Sequence, residues 1–163
     1  MPEQSLKIFD INLRENYFSR EVIEAGLQRC QVFKCNDDEL PVVCKLLGYE
    51  DLTPAQFYEQ VLQGKYQIEQ FIYTGGENGS DTFYYGEHSY LPTPKVQVVD
   101  TVGAGDSFTA TFVGLTVQGV DFREAHKTAV DVAAYVCTKE GAMPVLSAEL
   151  LERIKQLKAK AAV

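Results

Sequence analysis

The chain has 163 residues, of which 45% are hydrophobic and 23% charged, and its formal net charge is −8. This composition is typical of a globular protein, and the lack of a Lys/Arg cluster argues against binding to nucleic-acid phosphates. No apolar run reaches the roughly 20 residues of a membrane span, and residues 1–7 do not resemble a signal peptide, so a cytoplasmic location is expected.

Strand-like and helix-like apolar patterns alternate along the first ninety residues. Short runs of buried-type residues predict strands at 6–10, 31–35, 68–73 and 82–85. Helix-start residues predict helices over 20–30 after Ser19, from Asp37 or Asp38 onward, and from Thr53-Pro54 to about residue 63. Three glycines within residues 74–79 indicate a loop.

The second half of the chain is predicted to be mostly helical. One further strand is expected at Val96–Val99, and helical spacing covers 106–118 and 122–139. A Gly-Pro break at 141–144 ends the second helix, and Ser147 is expected to cap a last one. The whole pattern favours an α/β fold with a largely parallel sheet between helix layers.

The segment from Val99 to Phe108 carries the sharpest chemical signal. A predicted strand enters a Gly-rich turn that begins a helix, so free N–H groups and the helix dipole converge on one point and favour an anion. Asp106 in the first helical turn would be placed to take a proton from an attacking hydroxyl.

Three other interpretations of this turn compete with an anion site. A dinucleotide fingerprint would have a glycine where Phe108 stands, and a Walker loop would need a lysine that is absent. A plain turn, with Asp106 as a favourable charge at the helix start, would be preferred for an isolated G-x-G-D.

The four cysteines lack the close-spaced pairs of a zinc site and are interpreted as free thiols.

Four further segments, taken in chain order with this turn, favour an anion site over a plain turn. Together they resemble the motifs of the ribokinase-like (PfkB) family of carbohydrate kinases, and the resemblance covers essentially the whole chain. The matching segments are Phe9–Arg14 (F-D-x-N-x-R), Asn36–Glu39 (N-x-x-E), Thr74–Gly79 (T-x-G-x-x-G), Asp100–Phe108 (D-T-x-G-A-G-D-S-F) and Lys139–Ala142 (R/K-x-G-A).

The resemblance implies an ATP-dependent sugar kinase centred on Asp106 as the general base. The N–H groups of Gly103, Ala104, Gly105 and Asp106 would form the anion hole for the transferring phosphoryl group. The form F-D-x-N-x-R leans towards fructokinase-like members, although a nucleoside acceptor stays open.

The resemblance also implies where the nucleotide and its magnesium ion bind. Asn36 and Glu39 would arrange Mg²⁺-bound waters and phosphates, with a capping box between the two as the structural alternative. Thr74, Gly76 and Gly79 would line the ATP, unless they form only a hairpin loop.

Two sets of residues are less specific in the resemblance. The set Asp10, Asn12 and Arg14 would contact the sugar or phosphates, with a structural ion pair as the alternative. A monovalent cation such as K⁺, known in several members, would lie at Asp100, Val102, Val136, Lys139 and Gly141. Val145 replaces a hydroxyl residue of some members, which weighs against potassium.

The resemblance finally implies that residues 1–163 are the C-terminal nucleotide-binding and catalytic portion of a three-layer α/β/α ribokinase-like domain. The N-terminal strands, the lid and most sugar contacts would be absent, and little activity is expected from the chain alone. The strand around Ile8 would expose an apolar edge that invites self-association. A fragment that binds nucleotide or a partner without catalysis, and a remnant that binds nothing, are the alternatives.

Overall fold

Residues 5–14 and 18–162 are described by the computed structural model, and they fall into two units that meet in sequence at Tyr90–Leu91. Residues 1–4, on which part of the signal-peptide prediction depends, lie outside the described residues. No helix in the described ranges combines the length and apolar character needed to cross a membrane. That the chain is one portion of a larger domain stays a prediction.

The first unit is built on a five-stranded sheet whose strands are neighbours in chain order. Its strands are β1 (Ile8–Asp10), β2 (Val32–Asn36), β3 (Gln70–Thr74), β4 (Ser80–Tyr84) and β5 (Glu87–Leu91). β1, β2 and β3 run parallel, whereas β3 and β4 are antiparallel. Tyr85 and Gly86, both with positive φ, form the two-residue turn between β4 and β5.

The helices of this unit begin where local capping chemistry predicts. They are α1 (Arg20–Leu27), α2 (Glu39–Leu47) and α3 (Pro54–Phe57), and α3 continues as a π-helical segment at Tyr58–Tyr66. The Ser19 hydroxyl accepts the N–H of Val22, and Thr53 and Gln56 form a capping box. Gly48, at φ 86°, ends α2 in the left-handed conformation that glycine permits.

An aromatic core covers one face of the sheet. Phe33, Phe57 and Phe71 are fully buried, and their ring centroids lie 5.8–6.0 Å apart. A Cβ at Gly26 would lie 2.3 Å from the Phe9 ring, so glycine lets α1 approach β1 closely. Large buried aromatic rings contribute strongly to stability, and they hold the parallel strands whose ends carry the candidate site.

The second unit consists of three helices and the loops between them. These are α4 (Ala104–Thr116), α5 (Phe122–Cys137) and α6 (Ala148–Ala161). His126 of α5 is fully buried, and its ring meets the edges or faces of Phe108 and Phe112 of α4 at 5.7 and 6.4 Å. The Ser147 hydroxyl accepts the N–H of Leu150, as predicted for the start of α6.

One strand predicted from the sequence is wrong, and one strand was not predicted. Residues 92–98 form no regular element, and Val98 and Val99 are each more than half exposed. The N–H of Val99 instead donates to the carbonyl of Cys137, at 2.8 Å. Apolar alternation there was not sufficient, because a strand also needs a partner. Glu87–Leu91 was missed because its polar sequence hides a strand that the tight turn pairs with β4.

Candidate functional site

The three candidate segments of the first unit start at one edge of the sheet. Because β1, β2 and β3 are parallel, the residues that follow them emerge side by side. Asn36 and Thr74 are register partners, and the N–H of Asp37 donates to the Thr74 carbonyl at 3.1 Å. The N-x-x-E and T-x-G-x-x-G segments are thereby joined directly.

Asn36 and Glu39 satisfy each other's backbone. Asn36 Oδ1 accepts the N–H of Glu39 at 2.9 Å, and Glu39 Oε2 accepts the N–H of Asn36 at 2.8 Å. This reciprocal pair is the capping box that the sequence offered as an alternative, and it is confirmed. Glu39 is only 6% exposed, so its carboxylate oxygens need hydrogen-bond donors from the protein.

A second donor reaches the Glu39 carboxylate from a distant segment. The N–H of Leu13 donates to Glu39 Oε1 at 3.0 Å and ties the segment after β1 to the start of α2. Sequence reasoning missed this bond, because the two residues are 26 positions apart and no local spacing signals it. Asn12 and Arg14, on either side of Leu13, are exposed, and Asn12 has φ 44°.

Asp10 forms a structural ion pair, though with a residue the sequence did not single out. Its Oδ1 lies 3.0 Å from Nζ of Lys34, its register partner on β2. Within the described residues Asp10 Oδ1 accepts no hydrogen bond, so the contact with Lys34 is an ion pair. Lys34 is 7% exposed, and a buried lysine would otherwise be costly. For Asp10 the alternative of an ion pair is confirmed, while its contact with a sugar stays a prediction.

The segment Thr74–Gly79 is a hairpin loop between β3 and β4. The N–H of Gly75 donates to the Gly79 carbonyl, and that of Asn78 to the Gly75 carbonyl, both at 2.8 Å. Gly76 and Gly79 have φ of 54° and 95°, which side chains disfavour. The loop geometry therefore explains these glycines by itself, and contact with ATP stays a prediction.

The Gly-rich turn of the second unit opens α4 as predicted. Gly103 is the N-cap with φ 82°, and Asp106 is the third helical residue and is exposed. The N–H of Ala104 donates to the Thr101 carbonyl at 3.2 Å, so this predicted member of the anion hole is engaged. The N–H groups of Gly105 and Asp106 belong to the first turn, where an α-helix provides no partner.

A close contact between two turns explains Gly103. A Cβ at this position would lie 2.3 Å from the carbonyl oxygen of Ala142. The sequence predicted Gly103 only as a member of the anion hole. The structure shows that the backbone of Ala142, in the turn after α5, already occupies one side of Gly103.

Asp100 joins the same two turns through its carboxylate. Oδ1 accepts the N–H of Val102 at 3.0 Å, and Oδ2 accepts that of Gly141 at 3.1 Å. The Val102 bond, followed by the Gly141 bond, holds the pKa of Asp100 below its ordinary value of 3.8. The Val136 carbonyl accepts the Lys139 N–H at 3.0 Å. Three of the residues predicted for a monovalent cation are thus brought together, through the two carboxylate oxygens of Asp100 and the N–H groups of Val102 and Gly141.

The donor set fits Mg²⁺ through water. Over residues 5–14 and 18–162, no group of three or more His, Cys, Asp or Glu side chains is arranged to hold a metal ion. Each Glu39 oxygen retains a lone pair beyond its N–H bond. Mg²⁺ keeps most of its waters in proteins, so contact through water is compatible with Asn36 and Glu39.

Comparison with known proteins gives a consistent result. The model described as "pfkB family carbohydrate kinase" matches residues 2–149. The ribokinase of Arabidopsis thaliana is 35% identical over 98 residues, covering 56% of this chain and 26% of that protein. The fructokinase of Escherichia coli is 29% identical over 151 residues, covering 85% and 47%.

Solved structures agree with the sequence relatives. Ribokinase from Thermotoga maritima matches with TM-score 0.73 and 25% identity, over 94% of this chain and 49% of that one. Aminoimidazole riboside kinase from Salmonella enterica, solved with aminoimidazole riboside and an ATP analog, matches with TM-score 0.69 and 26% identity, over 90% and 51%. A putative ribokinase II from E. coli, solved with ATP and Mg²⁺, has TM-score 0.68 and 21% identity, over 90% and 47%. The chain thus has the ribokinase-like fold. It spans about half the length of four of these proteins and 26% of the Arabidopsis ribokinase.

Proposed function

The chain belongs to the pfkB family of carbohydrate kinases, and we propose that it is the nucleotide-binding, catalytic portion of an ATP-dependent sugar kinase. One observation carries the proposal: the Gly-rich turn starts α4 with first-turn N–H groups at Gly105 and Asp106, beside an exposed carboxylate. Phosphoryl transfer requires an anion-binding site and a general base close to each other.

In this proposal Asp106 takes the proton of the acceptor hydroxyl. The hydroxyl oxygen then forms a bond to the γ-phosphorus of ATP while the bond from that phosphorus to the bridging oxygen breaks, and ADP leaves with the electron pair. The N–H groups of Gly105 and Asp106, with that of Gly103, stabilise the charge on the transferring group. The Ala104 N–H would have to leave Thr101 to take part.

The nucleotide is assigned to the sheet edge of the first unit. Asn36 and Glu39 would hold waters of a magnesium ion, and Thr74, Gly76 and Gly79 would line the ATP. Magnesium would neutralise phosphate charge when bound. The support comes from the shared edge and from the Asp37–Thr74 bond. The S. enterica kinase, which matches 90% of this chain, was solved with an ATP analog and supports a nucleotide as the ligand.

The acceptor is proposed to be a sugar, with fructose as the leading candidate. The F-D-x-N-x-R segment and the E. coli fructokinase support it, while the Arabidopsis ribokinase and the S. enterica riboside kinase keep ribose and nucleosides open. Asn12 and Arg14, both exposed, would contact the acceptor. A cytoplasmic location is part of the same proposal.

A potassium ion at Asp100, Val102, Val136, Lys139 and Gly141 is a secondary proposal. The junction of the two turns supports it, since Asp100 and Gly141 are in contact. A cation would have to share oxygens that already accept N–H groups. Mg-ATP affinity measured in potassium and in tetramethylammonium salts tests this proposal, and equal affinities would contradict it.

The proposed function is tested by calorimetric titration of the chain with Mg-ATP. The parent and Asp106→Asn are expected to bind, because the amide keeps the shape of the carboxylate. Gly105→Val is expected not to bind, because its side chain would crowd the first-turn N–H groups. A sugar panel then tests phosphoryl transfer, in which Asp106→Asn should lose about a hundredfold or more.

Two results would contradict the proposal in different ways. A folded parent that binds no Mg-ATP would show that this chain does not form a nucleotide site by itself. Equal turnover by parent and Asp106→Asn would show that Asp106 is not the base. Binding without turnover would favour the alternative of a nucleotide-binding portion without catalysis.

A further inference from the structure

Glu39 makes one contact that neither capping nor magnesium requires. Its Oε1 accepts the N–H of Leu13 at 3.0 Å, while Oε2 accepts that of Asn36 at 2.8 Å. Leu13 follows β1 and Asn36 ends β2, two neighbouring parallel strands. One carboxylate therefore joins the segments that leave the sheet at two adjacent positions.

The burial of Glu39 gives these bonds weight. The residue is 6% exposed, so its hydrogen bonds to the backbone are largely shielded from bulk solvent. Hydrogen bonds to an ionised acceptor are about twice as strong as those between neutral groups. Glutamine at this position keeps the shape but turns one acceptor into a donor, which would face a backbone N–H. Loss of one acceptor oxygen should therefore weaken the hydrogen bond at Leu13 or at Asn36.

The segment that Glu39 holds needs support. Asn12 has φ 44°, in the left-handed region that asparagine adopts more readily than most side chains and that neighbouring contacts stabilise further. On one side of Asn12 the N–H of Ile11 donates to the Lys34 carbonyl at 3.2 Å. On the other side the N–H of Leu13 donates to Glu39 Oε1. Removal of that bond frees one end of the turn.

We propose that Glu39 is a positioning residue that holds Ile11–Arg14 against the Asn36–Glu39 turn and so fixes the conformation in which Asn12 and Arg14 are exposed. This role acts through the backbone of Leu13 and differs from ordering waters of magnesium. Its consequence for acceptor binding rests on the proposed function, but the clamp itself does not. Two measurements separate these parts.

The first measurement is amide hydrogen exchange of the ligand-free chain, followed residue by residue by NMR. In Glu39→Gln the Leu13 amide should exchange about tenfold or more faster, because a charge-assisted bond is lost. The Ile72 amide in β3 should keep its rate, which excludes general destabilisation. Asp38→Asn is the matched control, since Asp38 is exposed and its side chain makes no capping bond. Glu39→Asp replaces the glutamine variant if the latter does not fold.

The second measurement separates the clamp from a metal role. With a form of the protein that turns over, Glu39→Gln should raise the acceptor KM about tenfold or more, whether or not the Mg²⁺ requirement also rises. An unchanged Leu13 exchange rate would overturn the proposal. A raised Mg²⁺ requirement with normal Leu13 exchange would overturn it in favour of the metal role. If no form of the protein turns over, the catalytic part of the proposed function fails, while the exchange result still decides the clamp.

Discussion

The two units present their candidate groups in opposite ways. In the first, Glu39 and Asp10 are carboxylates turned inward, satisfied by backbone N–H groups or by Lys34, at the edge of a sheet fixed by buried phenylalanines. In the second, Asp106 is exposed at a helix start. A carboxylate that only shapes a site can have its oxygens fully bonded within the fold. A carboxylate that reacts has to stay accessible to the substrate.

The difference extends to the glycines. Gly76 in the first unit has open space where a Cβ would be, so its need for glycine comes from φ alone. Gly103 in the second has both positive φ and a backbone in contact. The first unit depends on its aromatic core for precision, and the second depends on the fit between two turns.

The largest effect is expected in the aromatic core. Phe71→Ala removes a fully buried ring that contacts Phe33, Phe57 and Phe83, and should lower the free energy of unfolding by about 3–5 kcal/mol. Urea denaturation followed by circular dichroism measures it. Val117→Ala, at a residue 65% exposed, is the control and should stay within about 0.5 kcal/mol. Similar losses for the two would show that the core does not carry this unit.

A smaller effect is expected at the junction of turns. Gly103→Ala combines the left-handed φ with a Cβ 2.3 Å from the Ala142 oxygen, and should cost about 2–4 kcal/mol because backbone must move. Gly119→Ala has a similar φ of 81° but its nearest contact is at 3.8 Å, so about 1 kcal/mol is expected. Thermal unfolding compares them. Equal costs would mean that φ alone makes Gly103 necessary.

A substitution in the outer strand β1 should have a modest effect on self-association. β1 is an outer strand of the sheet, and Ile8 on it is 43% exposed. Self-association through this edge is predicted, and Ile8→Lys should weaken it about tenfold, because an edge charge disfavours strand pairing. Sedimentation velocity over a concentration series measures the change. A parent that is monomeric at every concentration contradicts the prediction.

The smallest effect concerns the acid behaviour of the second unit. The pKa of Asp100 is depressed in the fold, so its bonds to Val102 and Gly141 are present above pH 3.8 and lost as the pH falls through the lower folded value. Gly141 amide protection, corrected for intrinsic exchange, should be flat from pH 7 to 5 and drop only below that range. Asp100→Asn should show no such drop. Protection lost already near pH 5 would contradict the depressed pKa.

Local chemistry made much of this fold predictable. Ser19, Thr53 and Ser147 signal helix starts within a few residues, and the family resemblance is confirmed by the comparisons. Val96–Val99 failed because strand formation depends on a partner that periodicity does not reveal. The same holds for the site, where the bond from Leu13 to Glu39 and the contact of Gly103 with Ala142 join distant positions.

The π-helical segment Tyr58–Tyr66 has a consequence for comparing this chain with its relatives. A π-turn spans one residue more than an α-turn, so an inserted residue is absorbed inside the helix and the flanking connections keep their length. Tyr58 at its start anchors the next elements, donating to the Glu69 carbonyl and accepting the N–H of Gly86. A relative with one residue fewer between Pro54 and Gln70 would close the same distance as a plain α-helix. Alignment gaps in this region should therefore be placed within the helix rather than in the loop before β3.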